Sequence, residues 1–284
     1  MTRIPHRDVP VGGEDPRAAF YADALGLLAS SDIPFLVGGT FAFARYTEIH
    51  RETKDLDIFV RPSDCARTLQ VFEDSDYHTE RLYPHWLAKV RRGNDFMDVV
   101  FASGNGIAVV DDEWFTHAAE SEVLGMRLRL CPPEEMIWSK AFVQERERFD
   151  GADVLHLIKE AGKGLDWPRL LARFGDNWPV LLSHLVLFRF VYPDRRDCVP
   201  PAVVDALTRR LAEQQQEPSN RTCFGTLLSR EQYLHDLDLG YVDARLPPHG
   251  SMTPDHIKLW TDAIGKERKR KRLRQSPASD RFVQ

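Results

Sequence analysis

The chain has 284 residues with a formal net charge of -5, and 43% of its residues are hydrophobic and 29% are charged. This length suggests one large domain or two ordinary ones, and the composition is typical of a folded, water-soluble protein. The acidic balance does not by itself indicate a nucleic-acid binder. No apolar run approaches the roughly 20 residues that span a bilayer, and the N-terminus lacks the apolar segment of a secretory signal. We therefore expect a cytoplasmic protein with no membrane partner.

The cysteines support the same expectation. Cys65, Cys131, Cys198 and Cys223 lie far apart, and none of them forms a CxxC pair. Spacing of this kind is a weak signal for a metal site, and reduced cysteines are the rule in the cytoplasm. We interpret all of them as packing residues.

The first part of the chain alternates between helical and extended patterns. Apolar residues at helical spacing predict helices, and short apolar runs that end at Gly or Pro predict strands. On this basis we predict a helix over 16–31, a strand over 33–37, a helix over 41–49, a strand over 55–60 and a helix over 62–73. Gly93-Asn94 predicts a hairpin turn between strands 85–90 and 95–101, and 122–130 predicts one further strand.

The character changes after residue 130. Residues 131–214 form successive amphipathic or apolar segments of helical spacing, and 215–250 are irregular. A terminal helix over 253–264 follows, which Thr253 can cap. The chain therefore predicts an α/β (α+β) fold. A mixed sheet with flanking helices occupies 1–130, a helical domain occupies 131–215, and an irregular extension, terminal helix and basic tail occupy 216–284.

Three aspartates on predicted strands are the strongest functional signal. Asp55 and Asp57 point the same way, because strand side chains alternate between faces, and Asp98 lies on a later strand between Met97 and Val99. Buried carboxylates are costly unless a basic side chain pairs with them or they coordinate a metal.

Two explanations compete for these carboxylates. Lys54, Lys89 or Arg91 could cap one or two of them, which is the more common case for a single buried aspartate. For the whole set after a Gly-Gly turn we favour a hard divalent cation, since Mg²⁺ binds carboxylates together with substrate phosphate oxygens. A structural ion-pair cluster remains an alternative.

The turn at Gly38-Gly39-Thr40 lies between a buried strand and a short helix. Glycines let the backbone approach a bulky group, and N–H groups at a helix start bind phosphate. Two divalent ions can activate an attacking oxygen and stabilise a leaving one. Together these parts predict phosphoryl or nucleotidyl transfer.

The ordered set of Gly38-Gly39-Thr40, Asp55-Leu56-Asp57 and Asp98 resembles the nucleotidyltransferase superfamily with the polymerase-beta-type fold. Within it, the chain is most similar to the bacterial minimal and toxin–antitoxin-associated nucleotidyltransferases. The resemblance covers about residues 30–130 and, more loosely, the Lys140 helix and the Asp150–Asp153 segment. One departure is the stretch of 15 residues between Gly39 and Asp55, which is somewhat long.

The resemblance implies a role for each carboxylate. Asp55 and Asp57 would bind both Mg²⁺ (or Mn²⁺) ions. Asp98 would bind the ion that activates the acceptor oxygen and could take its proton. All three would be the catalytic and metal-binding residues.

The resemblance also implies where an NTP would bind. Gly38 and Gly39 would hold the β- and γ-phosphates through the backbone, with the Thr40 hydroxyl assisting. Lys140 would meet the triphosphate, although a lysine reaching from a packed helix to solvent is as common. Arg45, shortly after the glycines, could face phosphate or solvent.

The implied activity is metal-dependent transfer of a nucleoside monophosphate from an NTP to a hydroxyl of RNA, protein or a small molecule, with release of pyrophosphate. The alternative is a catalytically silent nucleotide- or partner-binding module of a toxin–antitoxin-type system. The run 266–274 holds seven basic residues and one Glu, and RNA could contact it because phosphate contacts dominate nucleic-acid affinity. No aromatic residue is interleaved with it for base stacking.

Overall fold

The computed structural model describes residues 17–51, 53, 55–214 and 221–275, and for 266–275 it describes the backbone only. Residues 1–16, Lys54 and the side chains of the basic run 266–274 lie outside this description.

A mixed sheet occupies the first half of the chain. Its strands are β1 (Leu36–Val37), β2 (Leu56–Phe59), β3 (His78–Tyr83), β4 (Leu87–Arg92), β5 (Asp95–Val100), β6 (Ala119–Val123) and β7 (Met126–Leu130). In the described part of the chain these seven strands have the order β3-β4-β5-β2-β1-β7-β6. β2 pairs parallel with β5 and antiparallel with β1, whereas β1 pairs parallel with β7.

Helices flank this sheet, and the chain after β7 is mainly helical. They are α1 (Ala18–Ala29), α2 (Gly39–Thr47), α3 (Cys65–Glu73), α4 (Asp112–Thr116), α5 (Pro133–Ala141), α6 (Gly151–Ala161), α7 (Trp167–Phe174), α8 (Trp178–Val191), α9 (Pro201–Glu213), α10 (Leu234–Asp238) and α11 (Pro254–Gln275). Two short parallel strands, β8 (Thr222–Cys223) and β9 (Val242–Asp243), lie in the irregular segment. The predicted α/β fold with a following helical segment is confirmed.

The sheet has one apolar face and one mixed face. Leu56 and Ile58 on β2 are fully buried in the main core, which runs from α1 to α9. Asp57, between them, points to the opposite face because side chains alternate along a strand. A smaller apolar cluster on that opposite face includes Leu87, Val100 and, from α11, Ala263.

Two predicted elements need correction. Residues 122–130 do not form one strand, because Leu124 and Gly125 turn the chain with φ values of 51° and 76° and join β6 to β7 as a hairpin. Positive φ at both central residues gives the turn whose twist matches a two-residue hairpin. The terminal helix does not end at residue 264 but continues through the basic run to Gln275. The proposed domain boundaries stay a prediction.

Candidate active site

The parallel pairing of β2 with β5 brings two of the predicted carboxylates together. Asp57 on β2 is in register with Asp98 on β5. Neighbouring strands lie about 4.8 Å apart, and residues in register share a face of the sheet. Asp98 is 9% exposed. Two acidic side chains therefore stand next to each other on the mixed face.

The turn after β1 packs directly against Asp57. Gly39 has φ 53°, and a Cβ atom there would lie 1.9 Å from Oδ2 of Asp57. A Cβ at Gly38 would lie 2.2 Å from the Phe59 ring. Side chains at either position would therefore collide with β2, and the positive φ at Gly39 adds strain for any L residue with a side chain. Both glycines are required by this close approach.

The first turn of α2 offers backbone donors beside these carboxylates. The N–H of Gly38 donates to the carbonyl of Asp57 at 2.9 Å, and the N–H of Ala42 donates to the carbonyl of Gly38 at 3.2 Å. The N–H groups of Gly39, Thr40 and Phe41 have no intrahelical acceptor because they belong to the first turn. A phosphate at this helix start would therefore accept hydrogen bonds from these three N–H groups. The N–H of Gly38 is not available to it, because that group already donates to the carbonyl of Asp57.

Asp57 is held in an electrostatically unfavourable position. Burial raises its pKa to about 7, and the charges of Asp55 and Asp98 add to this, while Lys140 and Arg148 oppose it. Among the described residues, no basic side chain forms an ion pair with the Asp57 carboxylate. A carboxylate in this state favours either a proton or a bound cation.

Asp55 precedes β2 and is half-buried. The hydroxyl of Thr53 donates to its backbone carbonyl at 2.7 Å and to its Oδ1 at 3.1 Å. The hydroxyl of Thr53 thus contacts the side chain of Asp55, and the negative charge of this carboxylate acts on Asp57.

Asp98 differs from the other two because a basic side chain holds it. The ammonium of Lys89, directly opposite on β4, forms an ion pair with Oδ1 of Asp98. Burial raises the pKa of Asp98, and the charge of Lys89 opposes that rise. Capping by a lysine, one of the two explanations weighed from the sequence, is thus what the structure shows at Asp98.

The residues fit a hard cation at Asp55 and Asp57. The carboxylates supply oxygen ligands, which Mg²⁺ and Mn²⁺ prefer, and the position 1.9 Å from Oδ2 of Asp57 that a Cβ atom of residue 39 would fill carries no side chain. Across the described side chains, however, no group of three or more His, Cys, Asp or Glu is already arranged to hold a metal.

A basic cluster at the start of the helical segment faces the same carboxylates. Lys140 on α5 lies 2.9 Å from a carboxylate oxygen of Asp153 and 3.4 Å from one of Asp150. Arg148 binds Asp150 through two nitrogens at 2.9 and 2.8 Å. Both Lys140 and Arg148 lie close enough to Asp57 to lower its pKa. Their acidic partners hold these cations in place.

Arg148 was missed from the sequence. The segment QERERFD contains two arginines, Arg146 and Arg148, and only the folded loop shows which of them lies near Asp57. An isolated bridge between Gln144 and Phe149 closes that loop, and the Arg148 side chain stays 64% exposed. No motif in the sequence could have singled it out.

Arg45 is not brought to the carboxylates. It lines a small crevice with Phe41 of α2 and residues 121–124 of the β6–β7 hairpin. In the sheet order that hairpin lies beyond β1, away from β5. Contact of Arg45 with phosphate therefore remains a prediction without support from this arrangement.

Among the described helices, none is both long and apolar enough to cross a membrane.

No protein-family model matches the chain, and no curated protein matches it. Solved structures do. The antibiotic-resistance factor ANT(2'')-Ia has 14% identity and a TM-score of 0.44, with 61% of this chain and 98% of that chain covered. The lincosamide antibiotic adenylyltransferase LnuA, bound to lincomycin, has 17% identity and a TM-score of 0.36, with coverages of 50% and 94%. Terminal uridylyl transferase 4 from Trypanosoma brucei has 15% identity and a TM-score of 0.27, with coverages of 50% and 49%.

The solved structures that the chain resembles are thus nucleotidyltransferases, the class that its motifs resemble. At these identities and TM-scores the likenesses carry no argument about activity.

Proposed function

We propose that the protein is a metal-dependent nucleotidyltransferase. It transfers the nucleoside monophosphate group of an NTP to a hydroxyl acceptor and releases pyrophosphate. The observation that supports this most directly is the in-register pair of Asp57 and Asp98. This pair lies beside the Gly38-Gly39 turn, where a Cβ atom at either glycine would collide with a side chain of β2. A half-buried and a buried carboxylate side by side serve no obvious purpose in packing, because each raises the free energy of the fold when it ionises.

Each part of the site has a role in this proposal. Asp55 and Asp57, with Asp98 next to them, hold Mg²⁺ or Mn²⁺. When bound, the ion supplies positive charge to the transferring phosphate and activates the acceptor oxygen. The first-turn N–H groups of Thr40 and its neighbours bind phosphate oxygens at the positive end of α2.

The basic cluster completes the substrate site. Lys140 and Arg148 face the carboxylates and compensate the charge of the triphosphate, which a carboxylate site alone would repel. The guanidinium of Arg148 is the more exposed of the two and can bind phosphate through two nitrogens. Positioning and charge neutralisation supply most of the catalysis in such transfers.

The acceptor is an RNA end, a protein side chain or a small molecule. The helix α11 carries the sequence of the basic run 266–274, which suits a polyanionic acceptor through phosphate contacts.

Calorimetry tests the site assignment. We expect a nonhydrolysable ATP analogue to bind the wild type in the presence of Mg²⁺ and to bind Asp57→Asn at least ten times more weakly. Asp176→Asn is the control, since that side chain is fully exposed, and it should bind like the wild type. Equal Mg²⁺-dependent binding in wild type and Asp57→Asn would contradict the assignment.

One observation favours the silent-module alternative: Lys89 already neutralises Asp98. Incubation with each labelled NTP and a cell extract decides between the two. Label that enters RNA, protein or a small molecule, with pyrophosphate release, supports transfer. A stoichiometric protein partner without pyrophosphate release from any NTP supports the module.

A further inference from the structure

The third carboxylate of the site already has a cation of its own. The Lys89 ammonium forms an ion pair with Oδ1 of Asp98, and both side chains are nearly buried, with exposures of 14% and 13%. The same ammonium lies 4.3 Å from the centre of the Phe96 ring. Lys89 is therefore held between a carboxylate and an aromatic face, both of which attract a cationic side chain.

The β4–β5 hairpin fixes this pair in place. Arg92 and Asp95 are paired across the two-residue turn, and counting back along both strands places Lys89 opposite Asp98. Side chains opposite each other in an antiparallel pair lie within direct contact. A lysine at this position reaches Asp98 without any rearrangement of the backbone. Moving it away would leave a nearly buried ammonium without its counter-charge, which is costly.

Asp57 presents the opposite situation on the neighbouring strand. In the part of the chain that is described, no basic side chain forms an ion pair with its carboxylate, and residue 39, which lies against its Oδ2, carries no side chain. Asp55 stands two residues before it, just ahead of β2, and is near enough for its charge to act on Asp57. One end of the acidic site is thus open to a cation, and the other end is already neutralised.

We propose that Lys89 takes the place of a second divalent ion at Asp98, so that the site holds a single divalent ion, bound by Asp55 and Asp57. This rests on the proposed function, since it concerns the same NTP site. Lys89 acts through Asp98 as a positioning residue: its ion pair holds Oδ1 of that carboxylate on the side of β4. A dication sharing that carboxylate would be repelled by the ammonium.

Counting bound ions tests the proposal without measuring turnover. The full chain is equilibrated by dialysis with Mn²⁺ and a nonhydrolysable ATP analogue, and bound Mn²⁺ and bound analogue are both measured per chain. We expect one Mn²⁺ per bound analogue in the wild type. In Lys89→Gln, which frees Asp98 of its ammonium, we expect two. Lys89→Arg keeps the charge and is the matched control, with an expected count of one.

The outcomes separate the two proposals. Two Mn²⁺ per analogue in the wild type would overturn the role of Lys89 and leave the proposed function standing. One Mn²⁺ in both the wild type and Lys89→Gln would also overturn it, because the lysine would then exclude nothing. No bound analogue in the wild type would contradict the proposed function itself. If Lys89→Gln fails to fold, as judged by circular dichroism, Lys89→Met gives the same comparison with an apolar side chain of similar length.

Discussion

The buried charge at Asp57 makes a stability prediction that can be worked out from the structure. We consider Asp57→Asn, which keeps the shape of the side chain and removes its charge. The pKa of Asp57 is raised from 3.8 to about 7, mainly by burial. Between those pH values the unfolded chain has released a proton that the folded chain keeps, so the stability falls as the pH rises. Above pH 7 the full penalty is present, and below about pH 4 it is absent.

The size of the effect follows from the same pKa values. A difference of one pKa unit corresponds to about 1.4 kcal/mol, so the rise from 3.8 to about 7 sets a ceiling of about 4 kcal/mol. Water and structural relaxation reduce this, and we expect about 2 to 3 kcal/mol. In EDTA, Asp57→Asn should therefore be more stable than the wild type by that amount at pH 8, and the two should converge near pH 4.

Urea denaturation at pH 4, 5, 6, 7 and 8 in EDTA measures this difference. All other titrating groups are shared by the two proteins. The way in which their difference in free energy of unfolding changes with pH therefore reports on Asp57. Asp176→Asn, with its fully exposed side chain, should show no such change. A constant difference between wild type and Asp57→Asn, or a wild type that is the more stable protein at pH 8, would refute the reasoning. Adding Mg²⁺ at pH 8 should stabilise the wild type and leave Asp57→Asn unchanged.

Three further changes test other parts of the site. Gly39→Ala should abolish Mg²⁺-dependent binding of the ATP analogue in calorimetry, because the new Cβ would lie 1.9 Å from Oδ2 of Asp57; retained binding would contradict the close approach. Arg148→Gln should weaken the same binding about tenfold without lowering the melting temperature by more than a few degrees, whereas Arg146→Gln, the neighbouring arginine of that loop, should bind like the wild type. Glu135→Gln should lower the free energy of unfolding by about 3 kcal/mol in urea, since Glu135 is fully buried and paired with Arg169 and Arg173; a loss below 1 kcal/mol would contradict this.

Some of the site could be predicted because it depends on short-range geometry. The alternation of a strand places Asp55 and Asp57 on one side, and a Gly-Gly turn after a buried strand indicates close approach of the backbone. The hairpin turn at Gly93-Asn94 fixes the register of its two strands, so the contact of Lys89 with Asp98 was within reach of the sequence. Lys89 was indeed among the capping residues considered.

Other features depend on the order of the strands, which no local pattern contains. The parallel pairing of β2 with β5 sets Asp57 beside Asp98, although about forty residues separate them in the chain. The position of the β6–β7 hairpin beyond β1 takes Arg45 away from the carboxylates. That hairpin was missed because its turn places Leu124 at positive φ, where glycine or asparagine is usual.

The mixed face of the sheet explains how an acidic site and a packed helix can share the same strands. Asp57 and Phe59 of β2 lie on this face, in register with Asp98 and Val100 of β5, so apolar positions follow two residues after each carboxylate. Trp260 and Ala263 of α11 pack at these apolar positions. Residues of α11 thus pack two positions along the strands from the carboxylates, while Lys140 and Arg148 act on the charge of Asp57 from the helical segment.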